Sequence, residues 1–299
     1  MNTLEAVEEF LLAKRAGGRS PRTLERYEGV LMAFCTLAGG RDLDGITPRL
    51  LRRFLASYQE RGCTAETVLS HYNVLRCFFN WVQKEYRLAH NPMGAVDRPL
   101  TPTLLPKSLT PAQVTAFLEA VKNTRKPARN LALVMLMLDT GSRVGEACGV
   151  LLEHLDLDKQ EVRVLGKDRR ERLLPIGPET VAALRRYIEG RKDGLPCVFV
   201  SYRGGVPRQM SVRVVQSLFK RISKTVGFHV NPHLLRSTFG SMWIINGGDE
   251  ESLRQMMGHT TYAMTRRYVR LRVKDLHNKH SQFSPLAGDS DRRKDDDHS

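Results

Sequence analysis

The sequence predicts a mainly α protein carrying a small β-sheet, an α+β fold in two domains, and three observations lead there. Apolar residues recur at helical spacing through most of the 299 residues. Strand-like alternation replaces that period only in short stretches after residue 160. Between the two halves, Asn91 to Pro106 holds prolines at 92, 99, 102 and 106, which exclude continuous helix and place an extended linker at 91–106.

Taken in order, residues 1–90 read as four helices near 3–16, 21–38, 48–61 and 65–86. Ser20-Pro21 and Thr47-Pro48 each set a capping hydroxyl before a proline at the first helical position, where the missing N–H costs nothing. New segments begin after Gly39-Gly40 and Gly62. Leu24, Tyr27, Val30, Leu31 and Phe34, then Val68, Tyr72, Leu75, Phe79 and Val82, line one side of a bundle. A second domain follows over 107–285. LTPAQVTAFLEAV repeats the Thr-Pro helix start, and RNLALVMLMLDTG is apolar all round, the mark of a buried helix. EVRVLG and RLLPI, joined by the charged turn KDRRE, form a β-hairpin, and VFVSY reads as another strand. Helices resume near 178–191, 211–226, 232–246, 249–257 and 262–279. Residues 286–299, ending in DRRKDDDHS, have the composition of a disordered tail. The chain opens directly on the bundle, so no additional domain is expected before it.

The net charge of +15 points to a polyanionic partner, because Lys and Arg that neutralise phosphates release condensed counterions. It is concentrated in residues 101–285, where 30 Lys and Arg face 16 Asp and Glu. Nucleic acid is the first candidate and an anionic membrane surface the second. Five scattered cysteines without C-x-x-C spacing indicate neither a disulfide framework nor a zinc site. No signal peptide and no membrane-length apolar run is present, so a soluble cytoplasmic protein is expected. Neither a P-loop, a G-x-G-x-x-G nor an H-E-x-x-H occurs, and no cofactor or metal is expected.

Five short motifs carry possible chemistry, each weak alone. In TGSRVGEACGV, Arg143 follows a buried helix and Glu146 lies three residues on, which by itself describes a common surface ion pair. Lys167 sits in the hairpin turn, where solvated lysines abound. In NPHLLR, Asn231 can cap and Pro232 can start a helix, leaving His233 and Arg236 one turn apart on the same face. Free N–H groups and the helix dipole favour an anion at that end. His259 follows the short segment SLRQMMG, and Tyr268 stands nine residues later in MTRRYVRL.

Together, Arg143, Lys167, His233, Arg236, His259 and Tyr268 resemble the catalytic set of the tyrosine recombinase (phage integrase) family, in that family's order and similar spacing. HLLRSTFGSMWIINGGDEESLRQMMGH and TTYAMTRRYVRL are similar to its H-x-L-R, L-G-H and terminal tyrosine boxes. The likeness is strong over about 105–285. Residues 1–90 resemble its SAM-like core-binding domain through their four-helix pattern, and the layout is nearest to the Xer-like small integrases. Met257 replaces the usual Leu before Gly-His, a near-isosteric change, and Ser237 follows Arg236 where many relatives have His.

The resemblance implies a site-specific recombinase that breaks and rejoins DNA through a 3′-phosphotyrosyl intermediate. Tyr268 would be the nucleophile, Arg143 and Arg236 a guanidinium clamp on the phosphate, and Lys167 the general acid for the departing 5′ oxygen. His233 and His259 would add donors or move the tyrosyl proton. Glu146 would orient Arg143 or His233. Arg169, Arg170, Arg172, Arg266, Arg267, Arg270 and Arg272 would touch DNA phosphates. The partners implied are double-stranded DNA and a tetramer, of one chain or with a related recombinase, assembled on it. The competing readings are a type IB topoisomerase-like enzyme and a non-catalytic DNA-binding relative.

Overall fold

The architecture was obtained as a computed structural model, which describes residues 1–101, 106–166, 171–269, 280 and 284–285. The chain divides into two compact units, Met1–Leu104 and Leu105–Ser299.

The first unit is a bundle of α1 (Thr3–Ala16), α2 (Pro21–Ala38), α3 (Pro48–Glu60) and α4 (Ala65–Glu85). Side-chain oxygens of Ser20, Thr47 and Thr64 accept from the backbone N–H three residues on, satisfying donors that have no intrahelical partner. Gly39, Gly40 and Gly62 turn the chain with positive φ. Phe10, Phe34, Phe54, Phe78 and Phe79 fill the centre, with Phe10 and Phe34 meeting Phe78 and Phe54 edge-on at 5.4 Å. The bundle reaches further along the chain than the proline pattern indicates. Pro92–Ala95 forms a 3-10 turn, Met93 and Val96 are buried in the core, and Arg52 Nη2 donates to the Ala95 carbonyl at 2.6 Å.

In the second unit, α5 (Pro111–Lys122), α6 (Pro127–Thr140), α7 (Val144–Cys148), α8 (Pro178–Glu189), α9 (Val212–Val226), α10 (Pro232–Ile245), α11 (Glu250–Met257) and α12 (Tyr262–Val269) surround two small antiparallel sheets. The apolar segment RNLALVMLMLDTG forms most of α6, which packs on α5, α8 and α10 at the centre. Strands β1 (Leu155–Asp156), β2 (Glu161–Leu165) and β3 (Glu171–Pro175) make one sheet in that order. Val162 pairs with Leu174 and Val164 with Arg172, so Arg172 shares a face with buried valines and leucine.

VFVSY contributes only its end to β4 (Val200–Arg203), which pairs with β5 (Val206–Gln209), a strand that the sequence pattern did not anticipate. Gly204 and Gly205, both at positive φ, make the tight turn between them. The predicted helix 262–279 is described only to Val269, and the tail 286–299 lies outside the described residues. Among the described residues no helix is long and apolar enough to cross a membrane.

Candidate active site

The site begins where α6 stops. Gly141 takes a left-handed φ of 60°, and a Cβ there would fall 2.3 Å from Phe239 Cδ1, so only glycine fits. The turn delivers Arg143 to the start of α7, whose first turn carries Glu146. That carboxylate accepts from Arg143 N at 2.8 Å and Arg143 Nη1 at 2.9 Å. Glu146 is 6% exposed. Burial pushes its carboxyl up, but hydrogen bonds from Arg143 and the nearby Arg172 outweigh it and hold the group below the usual carboxylate range.

Helix α10 supplies the second arginine. Asn231 accepts from Leu234 N at 2.8 Å and Pro232 fills the first helical position, which fixes the register that brings His233 and Arg236 to one side. Arg236, 4% exposed, donates through Nη1 to the Gly141 carbonyl at 2.6 Å and through Nη2 to that of Met257 at 2.5 Å. Burial, then the like charge of Arg143, lower it to about 10, and it remains cationic at neutral pH. Both of its acceptors are carbonyls, so its charge is not cancelled by a carboxylate at these contacts. His233 is exposed at the pocket.

The end of α11 supplies the rest. Gly258 reverses the chain at φ 59°, and Arg143 Nη2 lies 3.5 Å from its carbonyl. His259, 7% exposed, pairs its Nδ1 with Thr265 Oγ1 at 2.9 Å. Tyr268 on α12 is 2% exposed, packed with Phe239, Ile244, Leu253 and Met257. Arg143, Val144, Pro232, His233, Arg236, His259, Ala263, Met264 and Tyr268 line one cavity of about 440 Å³. Two guanidiniums, two imidazoles and a phenol thus converge, a set suited to an anion beside a nucleophile.

Arg172 differs from its expected role as a phosphate contact. Its place on the inward face of β3 turns the guanidinium to Glu146, with Nη2 at 2.8 Å from Oε2. It also lies against Gly258, where a Cβ would come within 2.3 Å of Nη1. Glu146 therefore joins Arg143 to Arg172. Arg266 is exposed on α12. Lys167, Arg169, Arg170, Arg270 and Arg272 lie outside the described residues, as does the side chain of Arg267.

Four contributors escaped the sequence reading: Gly240, Gly258, Thr265 and Arg254. Gly240 lies under Tyr268, where a Cβ would meet ring carbons at 3.0 Å, and Arg254 Nη1 donates to the His259 carbonyl at 3.3 Å. The alternation of β3 alone held a signal for Arg172, since an arginine two residues from the buried Leu174 shares its face.

Residues 107–275 match the model of the phage integrase family, and residues 7–86 that of the phage integrase N-terminal SAM-like domain. The chain belongs to the phage integrase family. It is a tyrosine recombinase, an enzyme of DNA strand breakage and rejoining. It is 30% identical over 291 residues to the tyrosine recombinase XerC of Xanthomonas campestris pv. campestris (strain B100), covering 95% of this chain and 90% of the relative. It is 30% identical over 306 residues to the tyrosine recombinase XerC of Alcanivorax borkumensis, covering 99% and 98%. Its fold is similar to that of the Tn1549 transposon integrase in complex with transposon right end DNA, with a TM-score of 0.77, 20% identity, and 94% and 99% coverage. These matches favour recombination over the topoisomerase-like and non-catalytic readings.

Proposed function

We propose that this recombinase seats the scissile phosphodiester of duplex DNA in the cavity between Arg143 and Arg236 and attacks it with Tyr268. The observation that carries the reading is the convergence of Arg143, His233, Arg236, His259 and Tyr268 on one cavity. The Tyr268 oxygen forms a bond to phosphorus, the bond to the 5′ oxygen breaks, and the DNA 3′ end stays on the tyrosine. Charge gathering on the non-bridging oxygens meets the two guanidiniums, whose planar donors suit phosphate geometry. His259 and His233 donate to the same oxygens or carry the tyrosyl proton. Lys167 protonates the leaving oxygen. Because the phosphotyrosyl bond conserves energy, a 5′ hydroxyl from the second duplex reverses the step and exchanges the strand.

Duplex DNA is the partner, supported by the charge surplus and by a relative's structure that holds transposon end DNA. In the first unit, Arg41, Arg49, Arg52 and Arg53 line one cleft and offer a second set of phosphate contacts. Four protomers, alike or shared with a related recombinase, assemble on two simple core sites in the cytoplasm. The test is a nicked suicide substrate carrying the recombination site. A denaturant-resistant protein–DNA adduct supports the reading, and its persistence at full yield in Tyr268→Phe overturns the nucleophile.

A further inference from the structure

The turn between α11 and α12, residues 258–261, carries His259 and is gripped from two sides. Three successive carbonyls where α11 ends, beyond the reach of the helix's own donors, each face a guanidinium. That of Met257 accepts from Arg236 Nη2 at 2.5 Å, and that of Gly258 lies 3.5 Å from Arg143 Nη2, both arginines of the cavity wall. That of His259 accepts at 3.3 Å from Nη1 of Arg254, a residue of α11.

Arg254 is itself held in place. Its Nε donates to Glu251 Oε2 at 2.9 Å and its Nη2 to Oε1 at 2.7 Å, a two-pronged fork across one turn of α11. The same carboxylate accepts from Gln255 Nε2 at 2.9 Å and from the hydroxyl of Tyr262 at 2.6 Å. The Tyr262 ring also faces the guanidinium, with Cζ 5.1 Å from its centroid. These hydrogen bonds, that of Arg254 foremost, hold the Glu251 carboxyl well below the usual carboxylate range, so it stays charged at neutral pH. Tyr262 begins α12, and the cluster therefore ties the end of α11, the His259 peptide and the helix bearing Tyr268 together.

Stability does not account for this arrangement. Tyr262 is 53% exposed and the Arg254 and Glu251 side chains 28% and 41%, and ion pairs so open to water contribute little to folding. Orientation does account for it. The imidazole of His259 is held at Nδ1 by Thr265 of α12 and at its own carbonyl by Arg254 of α11, so its direction depends on how these two helices are joined.

We propose that Arg254, Glu251 and Tyr262 are positioning residues for strand cleavage: Glu251 and Tyr262 aim the Arg254 guanidinium at the His259 carbonyl, and that contact sets the imidazole in the cavity. The inference rests on the reading in which His259 serves the cleavage step, and adds to it a brace that touches neither phosphate nor nucleophile.

The test is single-turnover cleavage of the nicked suicide duplex by the full chain at saturating DNA. Arg254→Met, Arg254→Lys and Tyr262→Phe are compared with wild type, each alone and combined with His259→Ala. Arg254→Met slows adduct formation about tenfold while DNA affinity and Tm stay near wild type. Arg254→Lys recovers part of the rate, since an ammonium reaches the carboxylate without reproducing the fork. Tyr262→Phe keeps the ring, removes the hydroxyl and slows cleavage about threefold. In the His259→Ala background none of these substitutions costs anything further, because the group they position is gone. Arg185→Gln, which breaks a comparably exposed pair with Asp158, leaves the rate unchanged. Should Arg254→Met fold poorly, Tyr262→Phe carries the same comparison. Wild-type rates in the folded single variants overturn the inference. So does an equal loss with and without His259, which would make the cluster a general support of the fold. Absence of a wild-type adduct, or a wild-type rate in His259→Ala, instead removes the underlying reading and the inference with it.

Discussion

The imidazole of His259 lies nearly parallel to the phenol of Tyr268, with ring centroids 6.4 Å apart and planes 9° apart. Thr265, fully buried one turn before Tyr268, holds Nδ1 of that imidazole. The orientation of His259 is thus set by the same helix that carries the tyrosine.

Thr265→Val keeps the shape and removes the hydroxyl. Leaving a buried imidazole nitrogen without this partner costs about 1 to 3 kcal/mol, and a ring displaced by about 1 Å can cost a hundredfold in rate. Adduct formation on the suicide substrate slows at least about tenfold while DNA affinity holds. A wild-type cleavage rate would deny Thr265 any part in placing His259.

Glu146→Gln leaves Arg143 and Arg172 facing a neutral amide. Breaking a buried pair costs roughly 3 kcal/mol, a fall of about 6 to 12 °C in Tm for a unit of this size. The pH dependence has a definite sign. The Glu146 carboxyl is held below its ordinary value of 4.5, so its contribution is complete above that value and disappears as pH falls through the folded-state value. The Tm gap between wild type and Glu146→Gln therefore narrows on acidification below about 4.5. A constant gap down to strongly acidic pH would contradict the ion-pair account.

Gly258→Ala forces a left-handed alanine, costing about 1 to 2 kcal/mol, and drives its Cβ into the Arg172 guanidinium. Cleavage falls about a hundredfold, as expected for a displacement of about 1 Å. Because both residues act on one contact, Gly258→Ala/Arg172→Ala should lose less than the product of the two single losses. Strict additivity in a double-mutant cycle would separate them.

Gly240→Ala should split activity from stability. The helix gains about 1 kcal/mol of propensity, while the new Cβ presses on Tyr268 at 3.0 Å and Met257 Sδ at 3.2 Å. Tm stays near wild type and the single-turnover cleavage rate drops. An unaffected rate would show that the tyrosine tolerates the push.

Local chemistry made much of this fold readable. Ser20, Thr47 and Asn231 cap the helices that their hydroxyl or amide before proline announces, and the all-round apolar run of α6 lies at the centre of its unit. What escaped depends on residues far apart in sequence. Arg172 meets a carboxylate 26 positions away, so its charge reads as a surface contact until strand register turns it inward. Gly240 and Gly258 show no local reason to be glycine on a helix or at its end beyond a turn. Only the approach of Tyr268 and Arg172 supplies one. The β5 strand was missed because VPRQ lacks strand character and pairs by virtue of the Gly204-Gly205 turn.

Tyr268 lines the cavity with only 2% of its surface open to solvent. A phosphodiester brushing past the surface does not reach it. On the proposed role of Tyr268, only a backbone drawn fully between the two guanidiniums would reach it, which would guard against stray breaks in DNA met by chance. If Tyr268 is the nucleophile as proposed, the same enclosure would shelter the covalent joint from water, so that a waiting hydroxyl of the partner strand, rather than hydrolysis, would end the life of the broken strand.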